Sequence, residues 1–316
     1  MMNTSDINRP EHIIPVYLEL EELEYAVVVV ILTTMGLLGN IIAMLKIVCD
    51  ASFHKPTYIV LATLVLADFI CLIQYIVHAA VENINKNIGN EYGEYFMAMT
   101  YTTTHASAAH VILFLGLRYF YIRNPIKARL IQTGAIIRWS IALWIFSAVF
   151  GALYHVFRFS IPTIDIQVVV LSFRGYLLIV PVCFMVFFHV QKVNELHHAI
   201  NLPGLNRHIR RMSRMLSVIV FIYILSALLF PICFILNYNK VCEDERDCKH
   251  ILIIARIMWL VNVTANPIIY FIYTSKARVL FRTLYRKLVH VRRHRHSRRD
   301  LISTQIPPSP MISTKL

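Results

Sequence analysis

Long apolar runs recur along the chain between short polar stretches, and seven of them approach the roughly 20 residues that a membrane-spanning helix needs. They extend from about Tyr25 to Val48, Thr57 to Ala79, Tyr92 to Ile122, Ile136 to Phe157, Ile166 to Val190, Met212 to Tyr238 and His250 to Tyr273. The third is the most polar at its start, where Thr100, Thr102, Thr103, Thr104 and His105 follow one another closely. Such side chains are costly against lipid, so this stretch is expected to face other helices or water. The pattern predicts an all-α integral membrane protein, a seven-transmembrane helix bundle over residues 25–273. Residues 1–24 are polar and acidic and lack a basic start ahead of an apolar stretch. They read as an extracellular N-terminus, not a cleavable signal peptide, with the first span serving as the insertion signal.

Beyond the last span the pattern changes. Within residues 274–290, Val279, Leu280, Leu284 and Leu288 are spaced for one apolar face, with basic residues opposite. This predicts a short amphipathic C-terminal helix on the membrane surface. Residues 291–316 read as a disordered basic cytoplasmic tail, with Ser303, Thr304, Ser309, Ser313 and Thr314 as phosphorylation candidates.

Composition agrees with the pattern. The chain is 57% hydrophobic and 16% charged, against about 25% charged in soluble domains, and its mean hydropathy is +0.59. The net charge of +13 would suit nucleic acid, but its distribution points elsewhere. Lys55, then Arg123, Lys127 and Arg129, then Lys192, Arg207, Arg210, Arg211 and Arg214 fall between alternate spans, and ten Lys or Arg follow from Lys276 to Arg299. The opposite connections hold Glu91, Glu94, Glu243, Asp244, Glu245 and Asp247. By the positive-inside rule the N-terminus is extracellular and the C-terminus cytoplasmic. The basic segments are suited to anionic membrane lipids and carry few aromatics for stacking on bases, so no nucleic-acid partner is expected.

Cys71, Cys183 and Cys233 lie mid-span and read as packing residues, and Cys49 as a free thiol at a helix end. Cys242 and Cys248 flank an acidic segment on the outer side, where a local disulfide is expected. Asn3-Thr4-Ser5 is a glycosylation sequon.

The seventh run contains Asn266-Pro267-Ile268-Ile269-Tyr270. A proline inside a spanning helix frees a backbone carbonyl, and the preceding amide adds a polar group at membrane depth. Polar groups there mark a site or a moving part. Asn262 and Asn266 are four residues apart and share a helix face. With Asn40, Asp68 and Ser107, also near mid-span, they compose one expected polar network.

These landmarks, in order, resemble the rhodopsin-like (class A) G protein-coupled receptors. The resemblance covers nearly the whole chain: Gly39-Asn40, Leu61-Ala62 through Ala67-Asp68, Arg118-Tyr119 with Asn124-Pro125-Ile126-Lys127-Ala128, Trp144, Pro181, Pro231 and the Asn-Pro-Ile-Ile-Tyr motif. It implies a plasma-membrane receptor that passes binding of an extracellular ligand to heterotrimeric G proteins, with arrestin as a further partner. It also implies that Asp68, Ser107, Asn262 and Asn266 line a sodium pocket, the alternative being a hydrated network that only holds helices together. By the same resemblance Arg118 and Tyr119 meet the G protein, while Pro231, Pro267 and Tyr270 belong to the switch.

The chain also departs from the family pattern. Leu117 replaces the acid expected before Arg118, and the residue expected to lock that arginine from the sixth span falls among arginines around Arg211. A missing clamp predicts raised basal activity. Leu229 replaces the aromatic expected before Pro231, and His189 the tyrosine expected after Pro181. The outer cysteine of the third span is Gly93. Melanocortin-like receptors similarly lack that bridge and carry a cysteine pair before the last span, although His78, Gly93 and Met97 stand at that subgroup's acidic positions.

Thr100 stands where an amine receptor needs an aspartate and Leu260 where an opsin needs its lysine, so neither ligand class fits. Gln74, His78, Thr100, Thr104, Asn237, Arg256 and Trp259 are the expected ligand-binding residues. Arg256 either pairs with an outer acid such as Glu82 or Glu94 or receives an anionic ligand group. Acidic outer segments suit a basic peptide. A transporter, channel or non-signalling scaffold is the alternative, and it should show internal repeats. The chain has none that is convincing, and no nucleophile with a placed base to suggest an enzyme.

Overall fold

The computed structural model describes residues 16–84, 86–161, 165–198, 206–238 and 245–273. The chain divides into two compact units, Met1–Ile269 and Tyr270–Leu316. Of the second, the described part is the last turn of one helix, and Tyr270 is its first residue.

Seven long helices match the seven apolar runs. They are α1 (Val16–Cys49), α2 (Pro56–Ile84), α3 (Lys86–Arg123), α5 (Thr133–His155), α6 (Ile166–His198), α7 (Asn206–Tyr238) and α8 (Glu245–Tyr273). A short helix α4 (Pro125–Arg129) follows α3, a single 3-10 turn (Ala51–Phe53) follows α1, and α5 continues as a π-helical turn (Val156–Ser160). Among the described residues every regular element is helical. Pro56 and Pro125 open α2 and α4, where a missing N–H costs nothing. Pro181, Pro231 and Pro267 lie inside long helices, a placement membrane helices tolerate because neighbouring helices re-satisfy the freed carbonyl.

The helices overrun their apolar stretches. α1 has 34 residues and α3 has 38, about 50 Å or more at 1.5 Å per residue, while the hydrocarbon layer is ~30 Å thick. Helical hydrogen bonds are internal to the segment, so nothing stops a helix at the layer's edge. This corrects the reading of several charges as loop residues. Lys192 lies within α6, Arg207, Arg210, Arg211 and Arg214 within α7, Lys127 and Arg129 within α4, and Glu91 and Glu94 within α3. The amphipathic segment at 274–290, the tail at 291–316, the sequon at Asn3, Cys242 and the side chain of Cys248 lie outside the described residues.

Five stretches are long and apolar enough to cross a membrane: Glu24–Cys49, Pro56–Val81, Thr133–Phe159, Gln167–Glu195 and His250–Tyr270. α3 is not among them because its hydroxyls and histidines make it polar, and the apolar part of α7 runs only over Ser217–Leu229. The burial pattern explains how α3 stays in the layer. It packs against α2, α5 and α6, while α1 packs on α2 and α6 on α7. Polarity points inward: Asn40, Asp68 and His110 have no exposed surface, whereas Val30 is 63% and Phe221 66% exposed. That inversion suits lipid as the solvent. Cys71 is buried, as expected of packing, but Cys183 is exposed.

Two glycines set helix spacing. A Cβ at Gly36 of α1 would stand 2.7 Å from Leu72 Cδ1 of α2 and 2.7 Å from Thr264 Oγ1 of α8. A Cβ at Gly151 of α5 would overlap the Thr102 hydroxyl and the Ala98 carbonyl of α3. With little hydrophobic drive between helices in lipid, such close backbone approach is a main source of packing energy.

Candidate functional site

Asp68 joins three helices at the bundle's centre. Its side chain has no exposed surface. Ser107 Oγ of α3 donates to Asp68 Oδ1 at 2.8 Å, and Asn266 Nδ2 of α8 donates to Asp68 Oδ2 at 2.7 Å. A buried carboxylate is tolerable only when its oxygens find donors. Pro267 follows Asn266 directly, so the amide meets α2 next to the point where α8 lacks a backbone donor.

A small cavity adjoins the carboxylate, lined by Asp68, Cys71, Thr103, Thr104, Ser107, Trp259, Asn262 and Val263. It has space for about one water-sized body. The carboxylate and hydroxyl and amide oxygens around it are the hard donors that a small cation prefers, so the residues fit a sodium ion.

One expected member stands apart. Asn40 is buried, yet among the described residues neither of its amide atoms has a hydrogen-bond partner. It makes no direct bond to the Asp68 carboxylate, whose oxygens accept from Ser107 and Asn266.

The expected ligand residues separate into two groups. Thr104 and Trp259 line the Asp68 cavity, and Trp259 sits 5.9 Å from the ring of Tyr75. Gln74, His78 and Thr100 are engaged within the bundle. Thr103 donates to Gln74 Oε1 at 3.2 Å, His78 stacks on Phe96 at 3.7 Å, and Thr100 donates to the Phe96 carbonyl at 2.8 Å. Arg256 is exposed on α8. The side chains of Asn237, Glu82, Glu94 and Arg211 lie outside the described residues.

At the other end of α3, Arg118 stands 5.3 Å over the ring of Phe114, and Leu117 beside it is buried. Arg123 donates to the Tyr119 hydroxyl and lies 3.8 Å from Glu195 of α6. That pair is solvent-exposed, where screening leaves an ion pair little to contribute. The sequence placed Lys192 in a loop, but it is 1% exposed. Its Nζ lies 3.3 Å from His189 Nδ1, and His189 Nε2 lies 3.4 Å from Ser217 Oγ of α7.

Sequence reasoning missed a second polar contact. His105 Nδ1 meets Ser147 Oγ of α5 at 2.8 Å, and its Nε2 meets the Tyr176 hydroxyl of α6 at 3.3 Å. Ser147 already donates to the Leu143 carbonyl at 2.7 Å. Its oxygen therefore accepts from His105 Nδ1–H, which leaves Nε2 to accept from Tyr176. The signal was present, since a histidine within an apolar run needs partners. Replacing Ser147 with alanine should strand the histidine N–H and cost about 1–3 kcal/mol, read as a lower thermal midpoint than Ser147→Thr. Equal midpoints for the two variants would disprove this assignment.

The comparisons with known proteins agree with this arrangement. A sequence profile described as 7 transmembrane receptor (rhodopsin family) matches residues 39–270, which spans Asn40 through Tyr270 and every helix that contributes to the Asp68 cluster. The chain belongs to the rhodopsin family of seven-transmembrane receptors. The receptor is 25% identical to the mouse (Mus musculus) thyrotropin-releasing hormone receptor, over 83% of this chain and 80% of that protein. It is 24% identical to the same-named receptors of Bos taurus and Ovis aries, over 83% of this chain and 79% of theirs. It is thus a multi-pass plasma-membrane receptor rather than a transporter or scaffold.

Proposed function

We propose that this G protein-coupled receptor passes binding of an extracellular peptide, through the Asp68 cluster, to a heterotrimeric G protein at the Arg118 end of the bundle. The observation that carries this reading is the three-helix junction of Asp68 with Ser107 and Asn266. Three helices that share one buried carboxylate cannot move independently, so a ligand that shifts α8 is felt on α2 and α3. The peptide class rests on the similarity to hormone receptors of that kind and on the acidic outer segments. The N-terminus would be extracellular and the C-terminus cytoplasmic, with arrestin and anionic lipids meeting the basic tail.

Asp68, Ser107 and Asn262 would hold sodium in the cavity, with Asn266 as neighbour. A bound cation there compensates the carboxylate charge, and Ser107 and Asn266 orient the two oxygens.

Basal activity would be raised, because Leu117 stands where the family pattern has an acid beside Arg118. The decisive experiment is surface expression with a panel of G protein dissociation sensors and no ligand. Signal above vector control is expected from the wild type. Arg118→Ala should abolish it at unchanged surface level, by tenfold or more. Wild-type signal equal to vector for every G protein would remove the basal-activity proposal. Basal signal unaffected by Arg118→Ala would remove Arg118 from its G protein role.

A further inference from the structure

The boundary of the Asp68 cavity is not equally firm all round. Its floor is the carboxylate junction, where Ser107 and Asn266 hold the two oxygens of Asp68. On the side between α2 and α3 it is tied by Thr103, which lines the cavity and donates to Gln74 Oε1 at 3.2 Å. The bulkiest lining group is the Trp259 side chain of α8. Among the described residues that ring is held by packing alone. It lies 5.9 Å from the Tyr75 ring of α2 and rests against the buried cluster of Cys71, Leu72, Leu260 and Val263. Hydrogen bonds fix two sides of the cavity, whereas a packed ring can leave by a rotamer change.

The spacing along the helices places that ring over the carboxylate. The Asp68–Asn266 bond pins α2 to α8 at one level. Tyr75 follows Asp68 by seven residues and Trp259 precedes Asn266 by seven, two helical turns or about 10 Å in each case. The two rings meet, so α2 and α8 run in opposite directions from the pinned level and the aromatic pair stands on one side of it. Between the two levels lie Cys71 on α2 and Asn262 and Val263 on α8, all of which line the cavity. Tyr75 is braced in turn, its hydroxyl 3.2 Å from that of Tyr25 on α1. Tyr25, Tyr75 and Trp259 therefore link α1, α2 and α8 across that end. Among the described residues none of α7 lines the cavity.

We propose that Trp259, braced by Tyr75 and Tyr25, is the gate of the Asp68 cavity, and that a small monovalent cation passes when the indole swings off the Tyr75 ring. Access is then set by α1, α2 and α8. A shift of α1 that parts the two hydroxyls loosens the ring two contacts away. The identity of the cargo rests on the sodium reading above, while the gate is tested without it.

Cys71 reports the gate because its buried sulfur lines the cavity. The purified full-length receptor in phosphatidylcholine nanodiscs is exposed to 2-aminoethyl methanethiosulfonate, a water-soluble cation. Attack by the Cys71 sulfur forms a mixed disulfide and releases methanesulfinate, and mass spectrometry of the Cys71 peptide follows the rate well below each variant's thermal midpoint. Labelling of the wild type should be slow. Trp259→Ala should raise the rate about tenfold or more, by removing the ring that covers the cavity. Tyr25→Phe and Tyr75→Phe keep every ring and lose only the hydroxyl contact, so folding is preserved, and each should raise it about fivefold. Trp144→Phe, whose ring lies 6.2 Å from His110 and does not line the cavity, should label as wild type. The exposed Cys183 should label equally in all of them. Unchanged Cys71 rates in the Trp259, Tyr75 and Tyr25 variants would overturn the gate, as would an equal rise in Trp144→Phe. Sodium, but not N-methylglucamine, should slow Cys71 labelling in the wild type and not in Asp68→Asn. Faster labelling in the aromatic variants without sodium protection would uphold the gate and remove sodium as its cargo. Sodium protection with unchanged rates in those variants would keep the ion and overturn the gate.

Discussion

Replacing Asp68 with alanine should leave Ser107 and Asn266 with buried donors and no acceptor, a loss of about 1–3 kcal/mol for each stranded group. The two losses belong to one network and need not add. The expected result is a receptor that unfolds at lower temperature and reaches the surface poorly. Asp68→Asn should behave differently. Its carbonyl oxygen still accepts from Asn266, and its amide can donate to the Ser107 oxygen once that hydroxyl rotates. Stability should stay close to wild type while the charge disappears. If sodium binds here, sodium should stabilise the wild type against heat and leave Asp68→Asn unaffected, with N-methylglucamine as the control cation. Sodium dependence that persists in Asp68→Asn would place the ion elsewhere. An Asp68→Ala receptor as stable as wild type would mean that the junction holds little.

The second large effect is expected at Gly151. An alanine there would drive its Cβ into the Thr102 hydroxyl and the Ala98 carbonyl. The hydroxyl belongs to a rotatable side chain, but the carbonyl is backbone, so α3 itself must move away. Overpacking of this kind costs about 1–3 kcal/mol, and a valine should cost more. The cost would spread because α3 also packs against α2 and α6. Pairing Gly151→Ala with Thr102→Ala should recover only part of the loss. Gly175→Ala, where a Cβ meets nothing within 4 Å, is the control. Surface expression and thermal midpoint measure both, and equal behaviour of Gly151→Ala and Gly175→Ala would refute the argument.

Much of the architecture was legible in the sequence because lipid leaves few choices: an apolar run of about 20 residues must be a helix. The Asp68–Asn266 contact was legible for a related reason. A carboxylate and an amide at mid-span are expensive alone, so each implies the other. What stayed hidden followed from rules that span hydropathy does not encode. Lys192 counted as a loop cation because basic residues mark the edge of an apolar run, yet the helix continues past that edge and turns Lys192 inward. His105 sits in a long run where one polar residue barely lowers the average. Its partners, Ser147 and Tyr176, come from different helices. Only the bundle's geometry brings them together. Asn40 shows the converse, a polar residue at the expected depth that makes no direct bond to Asp68.

The Lys192 contact carries a directional consequence. An ammonium offers only donors, so His189 Nδ1 must accept from it, and the ring's single proton then sits on Nε2, facing Ser217. The contact is a relay of donors running one way, from α6 into α7. Reversing it would require a second proton on the ring beside an existing positive charge. If α7 swings away, the far end of the relay is cut first, and the ammonium is left at the mouth of a newly wetted cleft. Water would then solvate a charge that had been hidden in the closed bundle, so part of the work of separating these helices is returned as hydration of a single lysine.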